Sequence, residues 1–130
     1  MEEENLISID EEYFFDSSAI IEILKQNPIY EPYKESAAAI TIFNLAEIYF
    51  VVLSDYDESK ANTAYETYKS SLIEVTDEII KEAMKFRKEN KNKGFSYADS
   101  IGYICAKHNN LKFLTSDSQF KGLENVEFVK

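Results

Sequence analysis

Apolar and polar positions along the chain fall into short strand-like runs separated by longer stretches with helical spacing. Tyr13-Phe14-Phe15 reads as a buried strand that ends at Asp16 and passes directly into a helix from Ser17 to about Gln26. Asn27-Pro28 stops that helix, because proline lacks the N–H a helix needs and clashes with the preceding turn. A short helical piece follows over Tyr30 to Ser36, then a strand-like Ala39-Ile40-Thr41-Ile42. Leu45 to about Leu53 is expected as a largely buried helix, closed by a turn over Ser54 to Asp57. Glu58 to Ser70 is polar and helical, with Ala61, Ala64, Tyr65 and Tyr68 on one face. Ser71 to Val75 reads as a strand, and Asp77 to about Asn90 as an amphipathic helix turning Ile79, Ile80, Ala83, Met84 and Phe86 mostly toward a core. After a loop at Lys91 to Gly94 come a helix from Tyr97 to His108, a strand from Lys112 to Thr115, a helical turn from Asp117 to Lys121, and a closing strand from Val126 to Val129.

Strands that alternate with helices predict an α/β fold, a three-layer α/β/α sandwich around a mostly parallel sheet. Ligands of such sheets bind beyond the carboxyl ends of the strands. Asp16 and Asp117 each fall at that end of a predicted strand.

At 130 residues, with 45% hydrophobic and 29% charged residues, the chain suits one soluble domain with its own core. The longest strongly apolar stretch, Leu45 to Leu53, contains Glu47 and is too short to span a bilayer. Met1-Glu2-Glu3-Glu4 lacks the positive charge of a secretory leader, and the lone Cys105 excludes an internal disulfide, so a cytoplasmic location is expected. The net charge of −10 is unevenly placed. Residues 1–11 form an acidic leader, expected as a solvated tail ahead of a single domain over 12–130, and Glu12 extends its run of acids. Beyond residue 12 the excess of acids falls to four, so an anionic partner is not excluded, although no basic patch advertises one.

Asp16, Glu47, Asp99 and Asp117 sit beside apolar runs, where an ionised carboxylate is costly unless it is paired or holds a metal. Each also has a plain local explanation. Asp16 and Asp117 can cap the helices that follow them, Ser96-Tyr97-Ala98-Asp99 matches a capping box, and Asn44-Leu45-Ala46-Glu47 resembles a looser one. Capping does not require all four to sit by apolar runs, two of them at one rim of a sheet. Carboxylates brought together there would repel, and a hard divalent cation, Mg²⁺ or Mn²⁺, relieves that repulsion with oxygen ligands. Such an ion can polarise a phosphoryl oxygen and activate a water, which is the chemistry of phosphodiester hydrolysis.

Taken in order, Tyr13-Phe14-Phe15-Asp16-Ser17-Ser18, Asn44-Leu45-Ala46-Glu47, Phe95-Ser96-Tyr97-Ala98-Asp99-Ser100 and Phe113-Leu114-Thr115-Ser116-Asp117 resemble the PIN-domain nucleases, over about residues 12–130. The compact size is most like the VapC-type toxins of toxin–antitoxin pairs. The resemblance implies an Mg²⁺- or Mn²⁺-dependent endoribonuclease that acts on single-stranded RNA and leaves a 5′-phosphate and a 3′-hydroxyl. It implies that Asp16, Glu47, Asp99 and Asp117 are catalytic and hold the metal, with Asp16 and Asp99 as direct ligands. Thr115 matches a hydroxyl residue that often precedes the last acid, and Ser17 and Ser116 are expected to bond nearby carboxylates. A cognate antitoxin and a homodimer are the implied partners. The acidic leader and the scarcity of phosphate-gripping residues depart from the pattern. They keep two alternatives open, a non-catalytic interaction module and a housekeeping RNA-processing nuclease.

Arg87 is the only arginine, near the carboxyl end of a predicted helix; it is either a partner of the helix dipole or an RNA phosphate contact. Tyr49, Phe50, Tyr65, Tyr68 and Tyr103 are expected in the core or a subunit interface, whereas Tyr97, two residues from Asp99, is a candidate stacking surface. His108 is a poor candidate base, and Cys105 is expected as a small core residue. No P-loop or glycine-rich dinucleotide turn is present, and without a Cys/His cluster structural zinc is not expected.

Overall fold

The computed structural model describes residues 12–130, so the acidic leader over 1–11 lies outside the described residues. A parallel sheet of three strands forms the middle layer, in the order β1 (Tyr13–Phe15), β2 (Lys112–Thr115), β3 (Val126–Phe128). Phe14 pairs with Phe113 and Phe15 with Leu114, and successive side chains of a strand point to opposite faces. Phe14 and Phe113, stacked with ring centroids 5.7 Å apart, therefore serve one core, and Phe15 with Leu114 the other.

The first core is covered by α4 (Asp77–Glu89) and α5 (Tyr97–His108), through Ile79, Ala83, Ile101 and Ile104. The second is covered by α1 (Ser17–Leu24), α2 (Ile42–Asp55) and α3 (Glu58–Lys69), through Ala19, Ile20, Leu45, Ile48, Ala61 and Ala64. Helices on both faces of a parallel sheet give the three-layer sandwich that the alternation of elements implies. Three short 3₁₀ turns, Pro28–Tyr33, Lys91–Lys93 and Ser118–Phe120, complete the described elements. Among the described residues no helix is long and apolar enough to cross a membrane.

α5 is buried almost all round, from Ser100 to Ala106, and lies directly on β1. Gly102 makes this possible: a Cβ there would stand 2.9 Å from the ring of Phe14, closer than packing allows. The start of α5 and the end of β1 are thereby held together.

Several expectations are corrected. Ala39 to Ile42 and Ser71 to Val75 are not strands; they meet at one parallel bridge, Ile40 with Leu72, beside β1 through the Phe15 N–H to Ala39 carbonyl bond of 2.9 Å. The extended chain is cut short at Thr41, which caps α2, so that helix begins at Ile42 rather than Leu45. Nor is α2 largely buried. Leu45, Ile48 and Val52 face the core, but Ile42, Phe43, Leu53 and Phe50, the last 67% exposed, make an outward apolar stripe. The helical piece expected over Tyr30 to Ser36 is the 3₁₀ turn Pro28–Tyr33, in which Pro32 cannot donate an α-helical bond.

Candidate active site

Asp16 leaves β1, hydrogen-bonds its N–H to the Leu114 carbonyl of β2 at 2.9 Å, and caps α1. Only 2% of it is exposed. Its Oδ1 accepts from the Ser17 N–H at 3.0 Å, and its Oδ2 accepts from the Thr115 hydroxyl at 2.8 Å and the Ser18 hydroxyl at 3.1 Å. Thr115 Oγ1 in turn accepts from the Asp117 N–H at 3.0 Å, and Ser18 Oγ from the Ser116 N–H at 3.1 Å. Thr115 thus couples the first and last acids directly. Asp117 caps the Ser118–Phe120 turn through the Gln119 N–H at 3.0 Å.

Glu47 projects from the second turn of α2 and accepts a 2.6 Å bond from the Ser17 hydroxyl. Ser17 Oγ accepts from Asn44 Nδ2 at 2.9 Å, and Asn44 Oδ1 accepts from the Thr41 hydroxyl at 2.7 Å and the Thr41 N–H at 3.0 Å. The capping box of this helix is therefore Thr41 with Asn44, not Asn44 with Glu47, which leaves Glu47 free of any capping role. Asp99 sits in the first turn of α5 in a reciprocal box with Ser96, its Oδ2 accepting from the Ser96 N–H at 2.9 Å.

These residues form one electrostatic group. Burial raises the Asp16 carboxyl to about 7, with further contributions from the charges of Asp99 and Glu47, against the opposing bonds from Thr115 and Ser18. Burial likewise raises Glu47, against its bond from Ser17 and with the help of Asp99. Asp99 is raised by burial and by Asp117, against its bonds from Ser96. Among the described residues, no lysine, arginine or histidine forms an ion pair with any of the four. Each stands beside the first turns of a helix, whose N–H groups favour negative charge.

The donor chemistry fits a hard divalent cation: carboxylate oxygens that no cation of the described chain pairs. As the side chains stand, no three acids among the described residues are close enough to share one ion. The hydrogen bonds give the reason, since Glu47 is turned to Ser17 and Asp99 to Ser96. Asp99 Oδ1, Glu47 Oε2 and Asp117 Oδ2 carry no protein hydrogen bond among the described residues.

Of the expected supporting hydroxyls, Ser17 bonds Glu47 and Thr115 bonds Asp16. Ser116 contributes its N–H to Ser18 instead, and its hydroxyl engages Tyr30. Ser18 and Thr41 complete the network without having been assigned roles from sequence, and Asn44, read there as a cap partner of Glu47, instead joins Thr41 to Ser17. Asn44 is fully buried, and a buried amide must find partners on every side, so the pattern Thr41-x-x-Asn44 ahead of an apolar helix was the available signal. Arg87 donates from Nε to the Phe95 carbonyl at 2.8 Å, with its guanidinium 4.4 Å from the centroid of the Tyr97 ring. His108 pairs with Glu82 at 2.7 Å at the far end of α5, and Cys105 is buried, with burial raising its thiol to about 11. Phe50 is not a core residue; it borders an open depression of about 500 Å³ with Ser17, Ser18, Ile21, Ala46, Glu47 and Val51. Another cavity, about 730 Å³, opens at the other end of the sheet against Tyr13 and Leu111, and holds none of the four acids.

No protein of curated function matches the chain. A chain of a toxin–antitoxin complex from Klebsiella pneumoniae superposes with a TM-score of 0.71 at 19% identity, covering 88% of this chain and 95% of that one. A chain of VapBC2 from Rickettsia felis, solved bound to a DNA fragment from its promoter, gives 0.68 at 20% identity, with 91% and 98% covered. At such identities the likeness is one of fold. The sequence profile of the PIN domain matches residues 13–126, from the first residue of β1 to the first of β3, and spans all four acids. The chain belongs to the PIN-domain family.

Proposed function

We propose that the protein is a divalent-metal-dependent endoribonuclease that cleaves single-stranded RNA and serves as the toxin of a toxin–antitoxin pair. PIN domains are generally nucleases that use divalent metal ions, and the domain is taken to span residues 12–130. The observation that carries the reading is the coupling of Asp16, Glu47, Asp99 and Asp117 at the carboxyl edge of the sheet, with no cation of the described chain paired to them.

Mg²⁺ or Mn²⁺ held there supplies charge neutralisation and Lewis acidity at a phosphodiester. Asp16 is the fixed anchor, oriented by Ser17, Ser18 and Thr115. Asp99 and Asp117, each with one uncommitted oxygen, would hold the same ion together with it. Glu47, its carboxyl raised by burial and its Oε2 unbonded, is suited to take up a proton at that oxygen. The test compares cleavage of an unstructured RNA by wild type and Asp99→Asn, each with Mn²⁺ and with EDTA. Cleavage by wild type with Mn²⁺ alone is the expected result; equal cleavage in all four samples contradicts the reading.

An antitoxin is the proposed partner because the exposed stripe of Ile42, Phe43, Phe50 and Leu53 reaches, at Phe50, the depression that Glu47 lines, so one partner segment can cover apolar surface and place a basic side chain among the carboxylates. The two fold neighbours, both from toxin–antitoxin complexes, support the same choice. Phe50→Asp is expected to weaken co-purification with a co-expressed antitoxin while leaving the melting temperature nearly unchanged; unaltered co-purification contradicts this role of the stripe. A homodimer and a cytoplasmic location are part of the same proposal. A second reading, a non-catalytic interaction module, is favoured by the bonds that hold Glu47 and Asp99 apart. Saturable Mn²⁺ binding that Asp16→Ala abolishes rejects it.

A further inference from the structure

We infer that Arg87 and Tyr97 form a preorganised RNA-gripping edge of the site, in which the guanidinium takes a backbone phosphate and the open face of the tyrosine takes an unpaired base. The RNA class of the ligand rests on the nuclease reading above; the anchoring of the pair does not.

Arg87 lies in the last turn of α4, and nothing about a helix dipole requires it to be an arginine. Two contacts fix it: Nε to the Phe95 carbonyl at 2.8 Å, and the Tyr97 ring 4.4 Å beneath the guanidinium carbon. Phe95 is itself buried and stacked on Phe86 at 5.5 Å and on Phe120 at 4.3 Å, so the carbonyl that anchors Arg87 cannot drift. The next N–H along the chain, that of Ser96, holds the Asp99 carboxylate at 2.9 Å. The only guanidinium of the chain and one of its four site acids hang from adjacent residues, so a phosphate on the first has a set offset from the second.

What the contacts leave open matters as much. Among the described residues no carboxylate lies within ion-pair distance of Arg87, although the chain carries a net charge of −10. The terminal amino groups make no hydrogen bond among the described residues and keep the fork that matches phosphate oxygens. Tyr97 is 61% exposed, which a packing role would not leave so. Aromatic faces of this kind accept any base, because every base has a π-face. The positive edge continues past Lys91 to Lys93, whose Nζ donates to the Gln119 carbonyl at 3.1 Å in the turn capped by Asp117. The opposite border, formed by Ser17, Ser18, Ile21, Ala46, Glu47, Phe50 and Val51, has no lysine or arginine. RNA therefore enters along the α4–α5 edge and leaves the apolar side to a protein.

The test is fluorescence anisotropy of the full chain with a short, labelled, unstructured RNA in EDTA, over a series of KCl concentrations, with melting temperatures in parallel. Arg87→Gln is expected to weaken binding about tenfold and to reduce the slope of log K against log salt by about 0.7, the value for one phosphate contact on a single strand. Tyr97→Leu is expected to weaken binding by about tenfold with the slope unchanged, and Tyr97→Phe to match wild type. Wild-type affinity and slope in both Arg87→Gln and Tyr97→Leu overturn the inference, as does wild-type protein that fails to bind the RNA. If Arg87→Gln does not fold, Tyr97→Leu, an exposed position, decides alone. Mn²⁺-dependent cleavage measured on the same preparations separates the two ideas. Wild type that cleaves while the variants bind normally sinks only this inference. Arg87-dependent binding without cleavage sinks only the nuclease reading.

Discussion

The two sides of the acid group are built on opposite principles. Asp16 lies sealed at the strand end with both oxygens bonded, held by Ser17, Ser18 and Thr115 and raised by burial to about 7. Glu47, Asp99 and Asp117 are half-buried, each tied by one oxygen and open at the other. On the proposed metal-dependent reading, the difference separates two tasks that a metal site needs. A carboxylate that cannot move fixes where the ion goes, and carboxylates that can move close around it. Asp16 carries the cost of being charged in the interior, and the others keep the freedom to rotate.

The largest effect that bears on this contrast is on catalysis. Asp16→Asn and Asp99→Asn are each expected to lower RNA cleavage on the order of a thousandfold, since each removes charge from the place where transition-state charge is balanced. Their stabilities should diverge. In metal-free protein at neutral pH, Asp16→Asn should gain about 1–3 kcal/mol, because a carboxyl whose ionisation burial disfavours becomes a neutral amide, while the Ser17 N–H bond is kept and the Thr115 and Ser18 hydroxyls turn to accept from its Nδ2. Asp99→Asn should change stability by less than about 0.5 kcal/mol, as expected for a half-exposed position. Urea denaturation of the two variants decides it; equal stability changes break the contrast.

The same asymmetry sets a pH dependence. A carboxyl raised from 3.8 to about 7 binds its proton more tightly in the folded state. Its stabilising contribution is therefore full below the unfolded value and is lost as pH rises through the folded one, up to about 4 kcal/mol by linkage. Glu47 and Asp99, also raised, act in the same direction. Metal-free protein should lose stability between about pH 4 and pH 7 and then level off, and Asp16→Asn should flatten most of that slope. A stability that rises across this window contradicts the assignment.

Two smaller effects sharpen the picture. Thr115→Val removes the donor to Asp16 and the acceptor of the Asp117 N–H, and should cost about 1–3 kcal/mol along with a loss of Mn²⁺ affinity. Gly102→Ala should cost about 1–2 kcal/mol, the overpacking against Phe14 outweighing the gain in helix propensity. A stabilised Gly102→Ala protein would show that α5 is not pressed on β1 closely enough to set the position of Asp99.

Much of this was legible in the sequence, and the exceptions have physical causes. Tyr97–His108 and Lys112–Thr115 emerge with the bounds their patterns gave, because each is buried and sharply delimited, the helix by a capping box and the strand by turn residues. Ala39 to Ile42 looked like a strand from its residue types, but the Thr41 cap starts a helix before a ladder can form. Phe50 looked buried because it is aromatic, yet it points outward beside Glu47, which composition alone cannot reveal. At the acids, capping and convergence had looked like rival explanations. Asp16, Asp99 and Asp117 do cap helices, and those caps aim them at the same strand end. What the linear pattern could not contain is the pairing of Ser18 with Thr115 and of Asn44 with Ser17, since these hydrogen bonds join residues far apart in the chain.

The central claim is that the four carboxylates act as one cation site anchored on Asp16, whose carboxyl burial raises to about 7. Calorimetric titration of the full chain with Mn²⁺ near neutral pH, repeated in two buffers of different ionisation enthalpy, tests it directly. Saturable binding accompanied by release of a fraction of a proton, with both features lost in Asp16→Asn, is the predicted result. The absence of saturable binding, or binding that releases no proton and survives Asp16→Asn, would contradict it.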